Sequence, residues 1–325
     1  MTEKQSKDNG TPLNTLGEAA FQWLQWKQGH VKESSFSVYE HSVQTHIIPN
    51  LGEEKLTELT ESKCNEFLRN KMSNGNLRTH GELSWKTISD LRSILVMILR
   101  YAGDRGHPEF YAYRLSIPQQ KKNPMVILTC EEQERLERYL LENMNPANLG
   151  IMIALYTGLR IGEICGLRWS DIDFFHETLH VQRTVIRIRK TKNGKSKTKL
   201  YIATPKTVQS FRVIPVPDNM MQLLSVYRTR GEYYVVTGTK RVMEPRTMLA
   251  KYKRILKAAG LEDYRFHTLR HSFASRCVEN DFDVKSLSEI MGHANVQTTM
   301  QRYVHPSLDY KREQMNRLTF LCSSD

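Results

Sequence analysis

The chain has 325 residues, 39% of them hydrophobic, and carries 47 lysines and arginines against 35 acids, a formal charge of +12. This length can hold two domains with separate cores. No apolar run reaches the length of a bilayer span, and the polar start from Met1 to Gly10 lacks the apolar centre of a signal peptide. Five scattered cysteines (Cys64, Cys130, Cys165, Cys277 and Cys322) fit a reducing, cytoplasmic compartment rather than a disulfide framework, and the charge favours a polyanionic partner through counterion release.

Four amphipathic helices are read in the first third. Thr15 with Glu18 forms a capping box opening a helix with Leu16, Ala20, Trp23 and Leu24 on one face. A second follows Ser34 or Ser35, with Phe36, Tyr39, Val43 and Ile47 at helical spacing, and Pro49-Asn50-Leu51-Gly52 is expected to stop it. The third runs from Thr60 through Cys64, Phe67, Leu68 and Met72 to Asn74-Gly75. The fourth runs from Ser84 through Ile88, Leu91, Leu95 and Ile98 to Gly103. Together they read as a small bundle over residues 11–118. The polar, proline-bracketed stretch around Lys121 and Lys122 reads as a linker, placed at 119–128, with the second domain at 129–325.

The second domain opens with another capping box, Thr129 with Glu132, then a short apolar helix from Leu149 to Tyr156 broken at Thr157-Gly158. Arg160 and Glu163 follow, three residues apart, so that the carboxylate can steer the guanidinium. From Ile172 the pattern turns to strand, with a turn at His176-Glu177 and a β-branched run through Leu179, Val181, Val185, Ile186 and Ile188. Arg187, Arg189, Lys190, Lys192, Lys195, Lys197 and Lys199 flank Asn193-Gly194, a strong hairpin signal. Such a ribbon could lie along a phosphate backbone or stand as a solvated charged loop. Lys206 sits at a turn before a strand from Phe211 to Val216, where an ammonium can reach into a site. Helices are then expected at Asp218, Glu244-Pro245, His267 to Asn280 and Asp283 to Met291, and a last short one capped by Asn295 and bearing Tyr303. The fold class is therefore mainly α with a small antiparallel β-sheet.

One competing motif needs weighing. His176-Glu177-Thr178-Leu179-His180 matches H-E-x-x-H, which binds zinc only on a helix, where both histidines share a face. Here it straddles a turn and a strand, so no metal site is assigned.

The chemistry gathers late in the chain. His267 and Arg270 share one face of a helical turn, and His293 and Tyr303 follow. Guanidinium groups match the non-bridging oxygens of a phosphodiester undergoing displacement, and positive neighbours make a phenolate more accessible. His271 reads as a packing or supporting residue. The order Arg160, Lys206, His267-x-x-Arg270, His293, Tyr303 resembles the tyrosine recombinases, the lambda-integrase family. Thr157-Gly158-Leu159-Arg160-Ile161-Gly162-Glu163, Thr204-Pro205-Lys206-Thr207 and Met291-Gly292-His293 are most similar to integrases of phages and conjugative transposons.

The resemblance implies a helical core-site DNA-binding domain followed by an α+β catalytic domain. The activity would be site-specific strand cleavage and rejoining through a 3′-phosphotyrosyl intermediate, with no cofactor, metal or ATP. Arg160 and Arg270 would clamp the scissile phosphate, Tyr303 would attack it, and Lys206 would protonate the leaving 5′ oxygen. His267 would assist proton transfer at the tyrosine, His293 would hydrogen-bond the phosphate, and Glu163 would support Arg160. The implied partners are double-stranded core sites, further copies of the chain in a tetramer that exchanges strands through a Holliday junction, and accessory DNA-bending or excision factors, at a prokaryotic nucleoid. The apolar tail with Met315, Leu318, Phe320 and Leu321 would suit docking on a neighbour. A type IB topoisomerase uses a similar residue set and is the alternative.

Overall fold

The structure, a computed structural model, describes residues 13–119, 125–192, 195–203, 211–293, 295–303, 312 and 315–316, with the side chains of 189–192 and 195–197 left aside. Lys121, Lys122, Lys206, Leu318, Phe320 and Leu321 therefore lie outside the described residues, as do the side chains of Arg189, Lys190, Lys192, Lys195 and Lys197. The chain divides into two compact units, one drawn from Met1–Asn123 with Ile188–Lys199 and the other from Pro124–Arg187 with Leu200–Asp325. None of the described helices is long and apolar enough to cross a membrane.

The first unit is helical. α1 (Leu16–Lys27) opens on the Thr15–Glu18 capping box and buries Leu16, Ala19, Ala20, Trp23 and Leu24. α4 (Glu61–Asn74) is capped by Thr60, and α5 (Trp85–Gly103) by Ser84. Their apolar faces close one core, in which Trp23, Leu91, Leu95 and Ile98 are almost wholly buried.

The second helix stops within Pro49-Asn50-Leu51-Gly52, as the sequence suggests, but not by breaking at the proline. α2 (Glu33–Ser42) does not stop before the proline but continues through a π turn, Val43–Ile47, into α3 (Ile48–Leu51). In an unbroken α-helix the ring of Pro49 would press on the carbonyl four residues back, that of Thr45. The wider turn, in which the Ile48 N–H bonds to the Val43 carbonyl, makes room for it. The helix ends only at Gly52.

The second unit is an apolar helix wrapped by other elements. α6 (Cys130–Glu142) starts at the Thr129–Glu132 capping box, and α7 (Pro146–Thr157) is buried nearly all round. α8 (Ile161–Gly166) follows after Gly158, then β1 (Ile172–Asp173), β2 (Thr178–Val181), β3 (Thr184–Lys192), β4 (Lys195–Ala203) and β5 (Arg212–Pro215), the stretch Ile188–Lys199 of β3 and β4 being grouped with the first unit. β1, β2 and β5 make an antiparallel sheet in that order, with Leu179 opposite Ile214 and Val181 opposite Arg212. β3 pairs with β4 in a separate two-stranded ribbon. α9 (Asp218–Tyr227), α10 (Pro245–Ala258), α11 (His267–Glu279), α12 (Val284–Met291) and α13 (Val296–Tyr303) complete the unit. Leu136, Leu155, Ile164, Met248 and Leu269 lie in its main core.

Candidate active site

The site is built around the C-terminal end of α12. A helix C-terminus presents carbonyls without intrahelical partners and carries the negative end of the macrodipole, so it attracts cations. Here three consecutive carbonyls each accept a hydrogen bond from a different arginine. Arg212 Nε donates to Ile290 at 2.6 Å, Arg270 Nη2 to Met291 at 2.6 Å, and Arg160 Nη2 to Gly292 at 3.3 Å. Gly292 closes the helix in the left-handed conformation, φ +61°, and passes the chain to His293.

Arg160 owes its place to the break before it. α7 ends at Gly158, φ +63°, and Arg160 then caps α8 in an extended conformation. Glu163 answers it twice, accepting from the Arg160 backbone N–H at 2.8 Å and from Nη1 at 3.0 Å. The Gly158 carbonyl also accepts from Arg270 Nη1 at 2.6 Å. A side chain at 158 would place its Cβ 2.6 Å from the Phe273 ring in a backbone region that disfavours it. Gly158→Ala is therefore expected to cost about 1–3 kcal/mol and to weaken cleavage by displacing both arginines, which thermal melting and a strand-cleavage assay would measure.

Glu163 is itself held by Arg212, which grips both carboxylate oxygens at 3.1 and 3.0 Å from a side chain only 5% exposed. Burial alone would raise the Glu163 pKa, but hydrogen bonding and charge from Arg212, with Arg160 behind it, bring it down to about 2. Arg270 is the most buried of the three, 2% exposed. Burial first, then Arg160, lowers its pKa to about 9, so it remains charged at neutral pH without a carboxylate of its own.

Three histidines stand around these guanidiniums. His293 Nδ1 and the buried Thr299 hydroxyl are 2.8 Å apart. His267 packs edge-on against His271, ring centroids 4.5 Å apart. Burial and the neighbouring cations hold His267, His271 and His293 each at a pKa of about 4, which leaves all three neutral at pH 7.

Tyr303 is buried beside Ala274, Cys277, Leu287 and Met291, and its hydroxyl lies 2.8 Å from His271 Nδ1. Two expectations change here. The histidine against the phenol is His271, set aside in the sequence as a packing residue, whereas His267 stands one ring further away. And the phenol's pKa is raised, not lowered: burial outweighs the pull of Arg270, Arg302 and Arg160.

Arg212 was not legible as a site residue, although a signal existed. It is in phase with buried Ile214 on β5, and an arginine on the inner face of a strand needs a partner. Among the ribbon residues, Arg187 grips Glu244 through two nitrogens, Nε to Oε1 at 2.6 Å and Nη2 to Oε2 at 2.7 Å, and Lys199 is exposed. The H-E-x-x-H residues occupy the β1–β2 turn and β2, with Glu177 at φ +53° and His176 hydrogen-bonded to Asp173. The two histidines thus have no helix to share.

Comparison with known proteins bears on this arrangement. Residues 127–309 match the model of the phage integrase family, and residues 15–73 match the phage integrase N-terminal SAM-like domain. The tyrosine recombinase XerC-like protein of Caldanaerobacter subterraneus subsp. tengcongensis is 28% identical, with 90% of this chain and 79% of that one covered. The transposase from transposon Tn916 of Enterococcus faecalis is 27% identical over 60% of this chain and 51% of its own. The Tn1549 transposon integrase, solved in complex with a circular intermediate DNA, superposes with a TM-score of 0.76 at 23% identity, covering 94% of this chain and all of that one.

Proposed function

Because the chain belongs to the phage integrase family of tyrosine recombinases, enzymes that cleave and rejoin DNA, we propose that it recombines the ends of a mobile element using Arg160, Lys206, His267, Arg270, His293 and Tyr303. The observation that carries this reading is the clasp at the end of α12. It brings Arg160 and Arg270 onto adjacent carbonyls beside His293, within electrostatic reach of the Tyr303 hydroxyl.

Arg160 and Arg270 bind the non-bridging oxygens of the scissile phosphate, where charge accumulates as the phosphorus becomes five-coordinate. Both are already anchored, so little reorganisation is needed when the phosphate arrives. His293, fixed through Thr299, offers its Nε2 edge to the same group. The Tyr303 oxygen forms a bond to phosphorus, the bond to the 5′ oxygen breaks, and the Lys206 ammonium supplies the proton that the leaving oxygen needs. The phosphotyrosyl ester conserves the energy of the broken bond, so a 5′-hydroxyl from a second strand can reverse the step without ATP. His267, ring to ring with His271, assists proton transfer at the tyrosine.

The helical unit, residues 11–118, is the core-site binding domain in this reading, and 129–325 the catalytic domain, joined by 119–128. Partners are double-stranded core sites bound by a tetramer of the chain, with the C-terminal tail on a neighbour and accessory bending or excision factors beside it. The basic ribbon, Arg187 to Lys199, and Lys121 and Lys122 contribute phosphate contacts. The setting is the prokaryotic nucleoid. The names of the Tn916 and Tn1549 proteins support a mobile-element role, and together with the XerC-like relative they favour strand exchange over the relaxation carried out by a type IB topoisomerase.

The test is covalent capture. Nicked duplexes with a randomised segment are mixed with the protein in EDTA, denatured, and the attached DNA sequenced. The expected result is one enriched inverted-repeat site, with the DNA mapped by peptide mass spectrometry to Tyr303. Adducts without enrichment would point to a topoisomerase. Tight DNA binding with no adduct would remove Tyr303 as the nucleophile.

A further inference from the structure

The phenol of Tyr303 has one hydrogen to give, and its hydrogen-bond partner is a histidine. The charge of the neighbouring Arg302 guanidinium favours the ionised phenol without outweighing burial. The hydroxyl's hydrogen bond is to His271 Nδ1 at 2.8 Å, and because a phenol is a far stronger acid than a neutral imidazole N–H, we assign the hydroxyl as the donor. A neutral imidazole that accepts at Nδ1 carries its own hydrogen on Nε2, and its Nδ1 lone pair is aimed at the phenolic proton.

We propose that His271 is the general base of strand cleavage, taking the Tyr303 proton as the phenol oxygen attacks the scissile phosphorus and returning it when the strands are rejoined. The inference rests on Tyr303 being the nucleophile, and it assigns to His271 the proton transfer that family resemblance gives to His267. In cleavage the phenol O–H bond breaks, an Nδ1–H bond forms, the oxygen–phosphorus bond forms, and the 5′ oxygen leaves with a proton from Lys206. In rejoining, the 5′-hydroxyl gives its proton back to the Lys206 amine as its oxygen bonds to phosphorus, and the phenol oxygen leaves and recovers its own proton from the imidazolium.

The groups that face His271 explain why this base acts only on bound DNA. Among the described residues they are His267 and Arg270 from its own helix, and Arg302 and Tyr303 from α13, with no carboxylate among them. Burial and the two arginines hold the imidazole at a pKa of about 4, and the phenol is pushed up by burial. Proton transfer between them is steeply uphill in the free protein. A phosphate seated on Arg160 and Arg270 cancels part of that positive field and raises the basicity of His271. The substrate thereby switches on the base.

The experiment is single-turnover formation of the covalent complex on a nicked core-site duplex between pH 5.5 and 9.5. It compares the wild type with His271→Asn, His271→Gln and His271→Ala, with melting temperature and DNA affinity measured for each. Asparagine keeps an acceptor oxygen near the Nδ1 position but cannot carry the proton. We expect His271→Asn to bind DNA normally and to be slowed by about 10²-fold or more, its rate climbing with pH where the wild type has levelled off. Added imidazole should accelerate His271→Ala in proportion to its concentration. A His271→Asn rate within about threefold of the wild type would reduce His271 to a positioning residue, as would a slowed rate with the wild-type pH profile and no imidazole rescue. His271→Gln repeats the comparison should the asparagine variant fail to fold. Failure of the wild type itself to form an adduct would instead undo the assignment of Tyr303.

Discussion

Replacing Arg270 with glutamine is expected to lower single-turnover strand cleavage by about 10³-fold while leaving the melting temperature within about 5 °C of the wild type. The two effects separate because the guanidinium is kept at a cost. It is 2% exposed, has no carboxylate of its own, and its pKa is lowered to about 9 by burial and by Arg160. For a cation with a depressed folded pKa, that cost is present at every pH below the folded value and is relieved only as the pH rises through it. At neutral pH it amounts to a few kcal/mol, to order of magnitude. Glutamine removes the buried charge and still donates to one of the two carbonyls, Gly158 or Met291, that Arg270 now serves. The loss of one hydrogen bond is thus offset by the relief of desolvation. Cleavage has no such compensation, because in the proposed mechanism the lost charge is the one that meets the developing phosphorane. A fall in melting temperature beyond about 10 °C would mean that Arg270 is chiefly structural, and retained cleavage would mean that Arg160 alone holds the phosphate.

The elements that were legible in the sequence are those whose signals are local. The Thr15–Glu18 and Thr129–Glu132 boxes, the Thr60 and Ser84 caps and the Gly158 break all appear where the residues place them, because each is decided within about one helical turn. The stop at Pro49-Asn50-Leu51-Gly52 also holds, at Gly52, but the π turn that lets the helix pass Pro49 first has no local signal. In the candidate site, Arg160, Arg270, His293 and Tyr303 were singled out by order and spacing, but the residues the structure sets against them were not. The grip of Arg212 on Glu163 joins residues 49 apart, and that of His271 on Tyr303 joins residues 32 apart. Neither separation has a sequence signature. The ionisation of Tyr303 was misjudged for a related reason. The cations near it could be counted in the sequence, but the apolar residues that bury it, Ala274, Cys277, Leu287 and Met291, come from two other helices.

Glu163→Gln should be the most destabilising single change in the site, lowering the melting temperature by about 10 °C and abolishing detectable cleavage together with it. The carboxylate joins two guanidiniums, and Arg212, 5% exposed, would be left buried and unpaired, a situation that typically costs about 3–5 kcal/mol. The pH dependence carries the sign. Glu163 is depressed from 4.5 to about 2, equivalent to about 3 kcal/mol. This stabilisation is complete above pH 4.5 and is lost as the pH falls toward 2, so the wild type and Glu163→Gln should converge in stability across that interval and differ most above it. Adding Arg212→Gln should restore more than half of the lost stability, since the double variant leaves no buried charge without a partner. It should not restore cleavage. With Glu163 and Arg212 both neutral, nothing fixes the Arg160 guanidinium through its Nη1, and Ile290 loses the donor that ties β5 to the end of α12. A double variant that regained cleavage along with stability would show that Arg160 needs no such support, and that the carboxylate serves the fold alone.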